Sequence, residues 1–197
     1  MHCGVVEAAG RWLPLNLLYV AQAARRSGVE PVLYDAASSF VGWDEIRTVI
    51  RERRPRFIGS TAITFTINGC LELGRIAKEE LPDTTYILGG VHPTFMWKEV
   101  LESPGSPVDF IVRSEGEKTT EELFRALLSG GDPASVRGLA FKNGSGEATA
   151  TPPRGFLSDL EEYPAAFDIV DWSDYRYFVI PGSRLGAVAT SRGCNYT

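Results

Sequence analysis

The sequence predicts an α/β domain: a mostly parallel sheet with helices on both faces. Two observations carry this. Short apolar runs alternate with amphipathic stretches of helical period from Leu13 to Gly131. Between them, Ser27-Gly28, Pro55, Gly89-Gly90 and Gly130-Gly131 fall where helices or strands should stop. Parallel strands joined this way need right-handed crossovers, which set helices on both faces.

Leu13 to Ser27 has Leu17, Leu18, Ala21 and Ala24 at helical spacing, and Gly28 stops it. Val29 to Tyr34 reads as a short strand ending at Asp35. Trp43 to Arg53 is a helix with Ile46, Val49 and Ile50 on one face, ended by Pro55; Arg51 to Arg54 reads as its solvated end. Phe57 to Thr61 is a strand, Asn68 to Leu81 a helix, and Tyr86 to Gly90 a strand running into a loop. A short helix follows over about Trp97 to Glu102, then a strand over Asp109 to Arg113 and a helix over Thr119 to Leu128. Gly138 to Lys142 and Glu147 to Thr151 flank Asn143-Gly-Ser-Gly146 as a hairpin, with Asn-Gly as the turn signal. Residues 154–183 read as a linker wrapping a surface, and Leu185 to Thr190 as a fresh strand entering Ser191-Arg-Gly-Cys194. Only residues 1–9 precede the first helix, and His2 to Val6 is a poor, short candidate for the sheet's first strand. The expectation is a first strand that is missing or supplied by residues absent from this chain.

The 197 residues carry 44% hydrophobic residues and a net charge of −5, so a packed core is expected and disorder is not. Scattered basic residues give no reason to expect nucleic acid as a partner. No secretory signal and no apolar segment of membrane-spanning length is visible, which points to the cytoplasm and leaves association with a membrane open. Cys3, Cys70 and Cys194 are too few and too scattered for a disulfide framework, and Cys70 reads as core.

Open α/β sheets bind ligands beyond the carboxyl ends of their strands. Three loops fall there. Ser60 to Asn68 offers small hydroxyl residues, for a ligand or, through Thr66, for capping the next helix. Gly89 to Thr94 offers two glycines for close backbone approach and His92 as a hydrogen-bonding group or metal ligand. Arg113 to Thr119 places Glu115 and Glu117 near a helix start, as caps or as ligand contacts. The glycine fingerprints of dinucleotide and nucleoside-triphosphate sites and the hydrolase G-x-S-x-G elbow are absent.

Several pieces, in order, resemble the cobalamin-binding radical S-adenosylmethionine enzymes. They are Ala9 to Tyr19, Thr61 to Phe65, Leu88 to Met96, Val112 to Glu117, Ile169 to Trp172 and Ala189 to Thr197. Within that family the likeness is greatest to the cyclases that close the isocyclic ring of bacteriochlorophyll. The resemblance implies a Rossmann-like, flavodoxin-like cobalamin domain over 1–135, a hairpin and linker over 136–183, and the start of a radical S-adenosylmethionine barrel over 184–197. It implies that Ser60, Thr61, Thr64, Gly89, Gly90, His92 and Thr94 line cobalamin, with Glu115 and Gly116 close by. No Asp-x-His-x-x-Gly loop is present, so a protein histidine on the lower face of cobalt is not expected. Cys194 matches the first cysteine of the Cys-x-x-x-Cys-x-x-Cys motif that holds a [4Fe–4S] cluster, and the other two fall outside the chain. This piece alone is expected to be catalytically inactive.

For the whole enzyme the resemblance implies cleavage of S-adenosylmethionine by the cluster, with hydrogen abstraction from magnesium-protoporphyrin IX monomethyl ester and ring closure. An external electron donor such as ferredoxin or flavodoxin is implied. A cobalamin-dependent radical methyltransferase is the first alternative, and a non-catalytic cobalamin carrier or sensor module the second.

Overall fold

The computed structural model describes residues 12–36, 41–177 and 179–192. The candidate first strand at His2 to Val6, together with Cys3 and Cys194, lies outside the described residues.

Helix α1 spans Leu15–Arg26. Arg25 and Arg26 in its last turn suit the negative end of the helix dipole, and Gly28 at φ 89° ends it. Helix α2 (Trp43–Arg53) stops at Arg54, held at φ 45° just before Pro55. Then come β1 (Phe57–Thr61), α3 (Ile67–Glu80) and β2 (Thr85–Gly89). Helices α4 (Val91–Phe95) and α5 (Trp97–Glu102) precede β3 (Phe110–Val112), and α6 (Glu117–Ser129) follows it. The hairpin strands are β4 (Leu139–Lys142) and β5 (Ala148–Ala150).

The five strands form one sheet in the order β1-β2-β3-β4-β5. β1, β2 and β3 are parallel, while β4 runs antiparallel to both β3 and β5. The sheet is therefore mixed rather than mostly parallel. The physical reason is β3: its free side would leave unpaired backbone groups, and the hairpin supplies them with partners. Leu139, Ala140 and Ala148 of the hairpin are buried in the same core as the parallel strands.

Two helical layers cover the sheet. On one face, Tyr86, Leu88 and Ile111 pack with Val100 and Leu101 of α5, and Cys70, Leu71 and Leu73 of α3 lie against them. Helix α2 adds Ile46 and Ile50 against Ile76 and Ala77 of α3, and Arg47 and Arg51 both pair with Glu80. On the other face, Ile87, Val112 and Leu139 pack with Ala24 of α1 and with Leu123 and Phe124 of α6.

Two expected strands are not seen among the described residues. Residues 29–34 alternate between half-buried and exposed, as an extended chain does, yet no described segment pairs with them, and Pro31 has no N–H to donate. Residues 185–190 are likewise without a ladder; beside them lie an isolated bridge between Arg176 and Arg184 and a 3.1 Å bond from the Leu185 N–H to the Tyr175 carbonyl, and no barrel is closed among the described residues.

Residues 163–175 pack along α1 and α6. Leu13 and Leu18 are buried against Val170 and Tyr175, and the Ala166 N–H donates to the Leu18 carbonyl at 3.1 Å. Arg25 grips Asp168 with two hydrogen bonds of 3.1 and 2.9 Å. The Tyr163 hydroxyl donates to Glu121, which is 1% exposed and also pairs with Arg26 and Arg125. Among the described residues no helix is long and apolar enough to cross a membrane.

Candidate functional site

Because β1, β2 and β3 are parallel, their carboxyl ends at Thr61, Gly89 and Val112 share one edge of the sheet. The three loops leaving this edge are bonded to one another. Ala62 donates its N–H to the Gly89 carbonyl at 2.8 Å and accepts at its own carbonyl from His92 N–H at 3.2 Å. Thr64 Oγ1 lies 3.2 Å from His92 Nδ1. The third loop joins through Ser114, whose N–H donates to Thr94 Oγ1 at 2.9 Å. Thr94 Oγ1 donates in turn to the Gly90 carbonyl at 2.8 Å.

Gly90 makes this approach possible. It sits at φ 101°, and a Cβ there would fall 2.5 Å from the Ala62 carbonyl oxygen and 2.7 Å from Thr61 Oγ1. Only glycine tolerates both the dihedral and the contact. The residues after it, read from sequence as a loop, form helix α4. Pro93 is its third residue, within the first turn, where a missing N–H costs nothing.

The other expected site residues are placed as follows. Ser60 Oγ is 2.6 Å from the Tyr86 hydroxyl, on the side of the sheet covered by α3. Tyr86 is fully buried and donates to the Cys70 carbonyl, and burial pushes its phenol well above the ordinary range. Thr61 Oγ1 accepts from Asn16 Nδ2 at 3.2 Å, so the first turn of α1 also reaches the site. Asn16 carried no signal in the sequence beyond lying inside one of the resembling pieces. Glu115 Oε2 accepts the Leu157 N–H of the linker at 2.6 Å. Gly116 precedes α6, with Val112 Cγ1 3.1 Å from where its Cβ would be.

Thr66, weighed as a helix cap, makes no side-chain cap; it closes the turn before α3, accepting from Ile63 N–H at 3.1 Å. Cys70 is half-buried, donates weakly to the Thr61 carbonyl, and burial raises its thiol pKa. Among the described residues, no three His, Cys, Asp or Glu side chains cluster as metal ligands.

A feature the sequence did not single out is the apolar surface of these loops. Phe65 is 90% exposed and Phe95 77% exposed, and Ile63, Val91 and Met96 are exposed beside them in sequence. Large apolar groups on the first loop and on the adjoining α4 are the kind of exposed apolar surface at which a ligand or partner binds. The hydroxyl of Thr64 and the ring of His92 add polar groups to the same loops. The combination suits a broad ligand with an apolar face and hydrogen-bonding edges, which is the usual composition of a cofactor site.

Comparison with known proteins bears on what that ligand is. Residues 1–124 match the model of the B12 binding domain family. The anaerobic magnesium-protoporphyrin IX monomethyl ester cyclase of Rubrivivax gelatinosus is 35% identical over all of this chain and 36% of its own length. The cyclase of the same name from Cereibacter sphaeroides is 32% identical over all of this chain and 32% of its own. The hopanoid C-3 methylase of Methylococcus capsulatus is 28% identical over 92% of this chain and 34% of its own. The chain thus spans about a third of the length of these curated relatives. Among solved structures, the cobalamin-dependent S-adenosylmethionine radical enzyme OxsB with aqua-cobalamin and S-adenosylmethionine bound shares the fold, with a TM-score of 0.66 at 21% identity over 80% of this chain and 22% of its own. The radical S-adenosylmethionine methyltransferase TsrM from Kitasatospora setae, with cobalamin and a [4Fe-4S] cluster bound, has a TM-score of 0.64 at 19% identity over 82% of this chain and 31% of its own.

Proposed function

The chain belongs to the B12 binding domain family, and from that premise we propose that it is the cobalamin-holding portion of a radical S-adenosylmethionine enzyme, with cobalamin seated on the carboxyl edge of the sheet. The observation that carries the reading is the exposed apolar surface of Ile63, Phe65, Val91, Phe95 and Met96, on loops whose close approach depends on Gly90.

The residues present fit the group. Cobalamin is a broad corrin ring rimmed by amides, with a nucleotide tail. In this reading the apolar side chains of the first two loops cover the ring and exclude water from its face. Thr64, His92 and the backbone near Gly89 and Gly90 hydrogen-bond the amides and tail. Ser60, Thr61 and Thr94 hold these loops in place through their bonds to Tyr86, Asn16 and Ser114. Glu115 and Gly116 border the site and tie it to the linker. When bound, cobalamin supplies a cobalt centre for electron or methyl-group chemistry; the protein supplies orientation and seclusion.

At finer grain, we assign residues 1–135 to the cobalamin domain, 136–183 to hairpin and linker, and 184–197 to the start of the catalytic domain, with Cys194 as the first ligand of a [4Fe–4S] cluster. The reaction we favour is oxidative closure of the isocyclic ring on magnesium-protoporphyrin IX monomethyl ester, with an external donor of the ferredoxin or flavodoxin class. Support comes from two cyclases that match the whole chain at 35% and 32% identity. Methyl transfer is the second reading, favoured by the 28% identity to the hopanoid methylase.

The full-length enzyme, reconstituted anaerobically with iron, sulfide, cobalamin and S-adenosylmethionine, separates the two. In ¹⁸O-labelled water a cyclase places label in the new ring carbonyl and leaves the methyl of S-adenosylmethionine on methionine. A labelled methyl group appearing on the porphyrin would overturn the cyclase reading in favour of the methyltransferase.

A further inference from the structure

Two residues far apart in the sequence meet behind the third loop of the site. Glu117 is the first residue of α6, directly after Glu115 and Gly116. Its side chain is only 5% exposed, and its cation partner is Arg192, itself 18% exposed. The guanidinium of Arg192 also lies over a side chain of α1, its carbon 3.9 Å from the ring centroid of Tyr19. A carboxylate taken out of water this far needs its partner, and the Arg fork matches a carboxylate while its flat face stacks on an aromatic ring.

The position of Arg192 in the chain gives the contact its meaning. Residues 188–191 are exposed and form no ladder, and Arg192 is where the chain returns to the domain. Two residues later stands Cys194. On the other side, Glu117 is joined to the site by an unbroken run: Gly90 to Thr94, Thr94 to Ser114, and Ser114 through Gly116 to α6.

We propose that Glu117, Arg192 and Tyr19 form a latch that sets the segment entering Cys194 in register with the third loop of the cobalamin site. The proposal rests on the reading of Cys194 as a cluster ligand and of the carboxyl edge as the cobalamin site. Arg192 is in this account a positioning residue: it touches neither cofactor, and it transmits the state of the loop to the segment that follows.

The test is hydrogen-exchange mass spectrometry on the full-length protein, for wild type, R192M, R192K, E117Q and the R192M/E117Q double variant, with and without hydroxocobalamin. Without cobalamin, R192M and E117Q each speed exchange over the segment 180–185, whose Ile180, Ser183 and Leu185 amides are hydrogen-bonded, by about tenfold and leave β1 to β3 unchanged, and the double variant is no faster than either. R192K, which keeps the charge, recovers part of the protection. Cobalamin slows this segment by about threefold in wild type and R192K and leaves it unaltered in R192M, a response that a simple tether would not lose selectively. Equal exchange over 180–185 in wild type and R192M, or additive effects in the double variant, would overturn the latch. Cobalamin that binds wild type without slowing the segment would overturn the coupling. Failure of cobalamin to bind wild type would count against the proposed function, and the cobalamin-free comparison would still decide the latch. Should E117Q fail to fold, Y19L takes its place.

Discussion

At Gly90 a left-handed dihedral and a close backbone contact coincide, and no side chain satisfies both. Gly90→Ala is expected to lower stability by at least about 2 kcal/mol in urea unfolding. A bulky residue there would therefore report on the fold before it reported on any ligand. Phe65 and Phe95 are better probes because they are exposed and support nothing beneath them. The F65D/F95D double variant is expected to weaken cobalamin binding by more than about tenfold and to shift unfolding by no more than about 0.5 kcal/mol per site.

Glu121 and Tyr163 set a different kind of residue-level prediction. Burial pushes the Glu121 carboxyl up, but the Tyr163 hydroxyl and the cations Arg125 and Arg26 outweigh it, so its pKa lies below the ordinary value. Burial, and then the Glu121 carboxylate, push the Tyr163 phenol far up. A depressed acid contributes stability above its unfolded pKa, roughly 4.3, that is lost as pH falls through the folded value. A raised phenol contributes stability below about 10 that is lost as pH rises beyond it. Thermal unfolding across pH should show a plateau between these limits. Tyr163→Phe should cost about 1–2 kcal/mol and shrink the acid limb, because it leaves a buried carboxylate short of a donor.

Among the elements, α2 and α3 were legible in the sequence because their apolar residues repeat at helical spacing and clear stops follow. Strands β1 and β2 were legible as short apolar runs between helices. Helix α4 was not, since Gly-Gly before it and Pro93 inside it are loop signals unless the proline falls in the first turn. The hairpin was found, but its turn is not a two-residue Asn-Gly turn. Asn143 Oδ1 accepts from the N–H groups of Ser145 and Glu147, and the positive φ falls on Gly146 rather than Gly144. Its docking onto β3, which makes the sheet mixed, depends on a pairing 25 or more residues away, which local pattern does not encode. Residues 29–34 and 185–190 show the converse: both have strand composition, and neither belongs to a ladder among the described residues. In the site, the loop positions of Thr64, Gly90 and His92 could be read from strand ends. The contact of Asn16 with Thr61 and the exposure of Phe65 and Phe95 could not, because contact and exposure belong to the folded state.

Across the whole molecule, residues 154–183 are part of the fold's stability. They bury Leu13 and Leu18 and satisfy Glu121, Arg25 and Glu115. Cutting the chain after Pro153 should therefore lower the urea midpoint sharply and expose dye-binding apolar surface, although every strand of the sheet is retained. The site sits at one edge of this wrapped domain, with the third loop between the sheet and the linker, and the latch at Arg192 closes the wrap.

The most direct test of the account is an anaerobic absorbance titration of the chain with hydroxocobalamin, wild type beside F65D/F95D, each first shown to be folded by circular dichroism and size exclusion. The account predicts saturable one-to-one binding to wild type, a shift toward the base-off spectrum, and marked weakening in the double variant. A folded wild-type chain that takes up no cobalamin, or a double variant that binds as tightly as wild type, would contradict it.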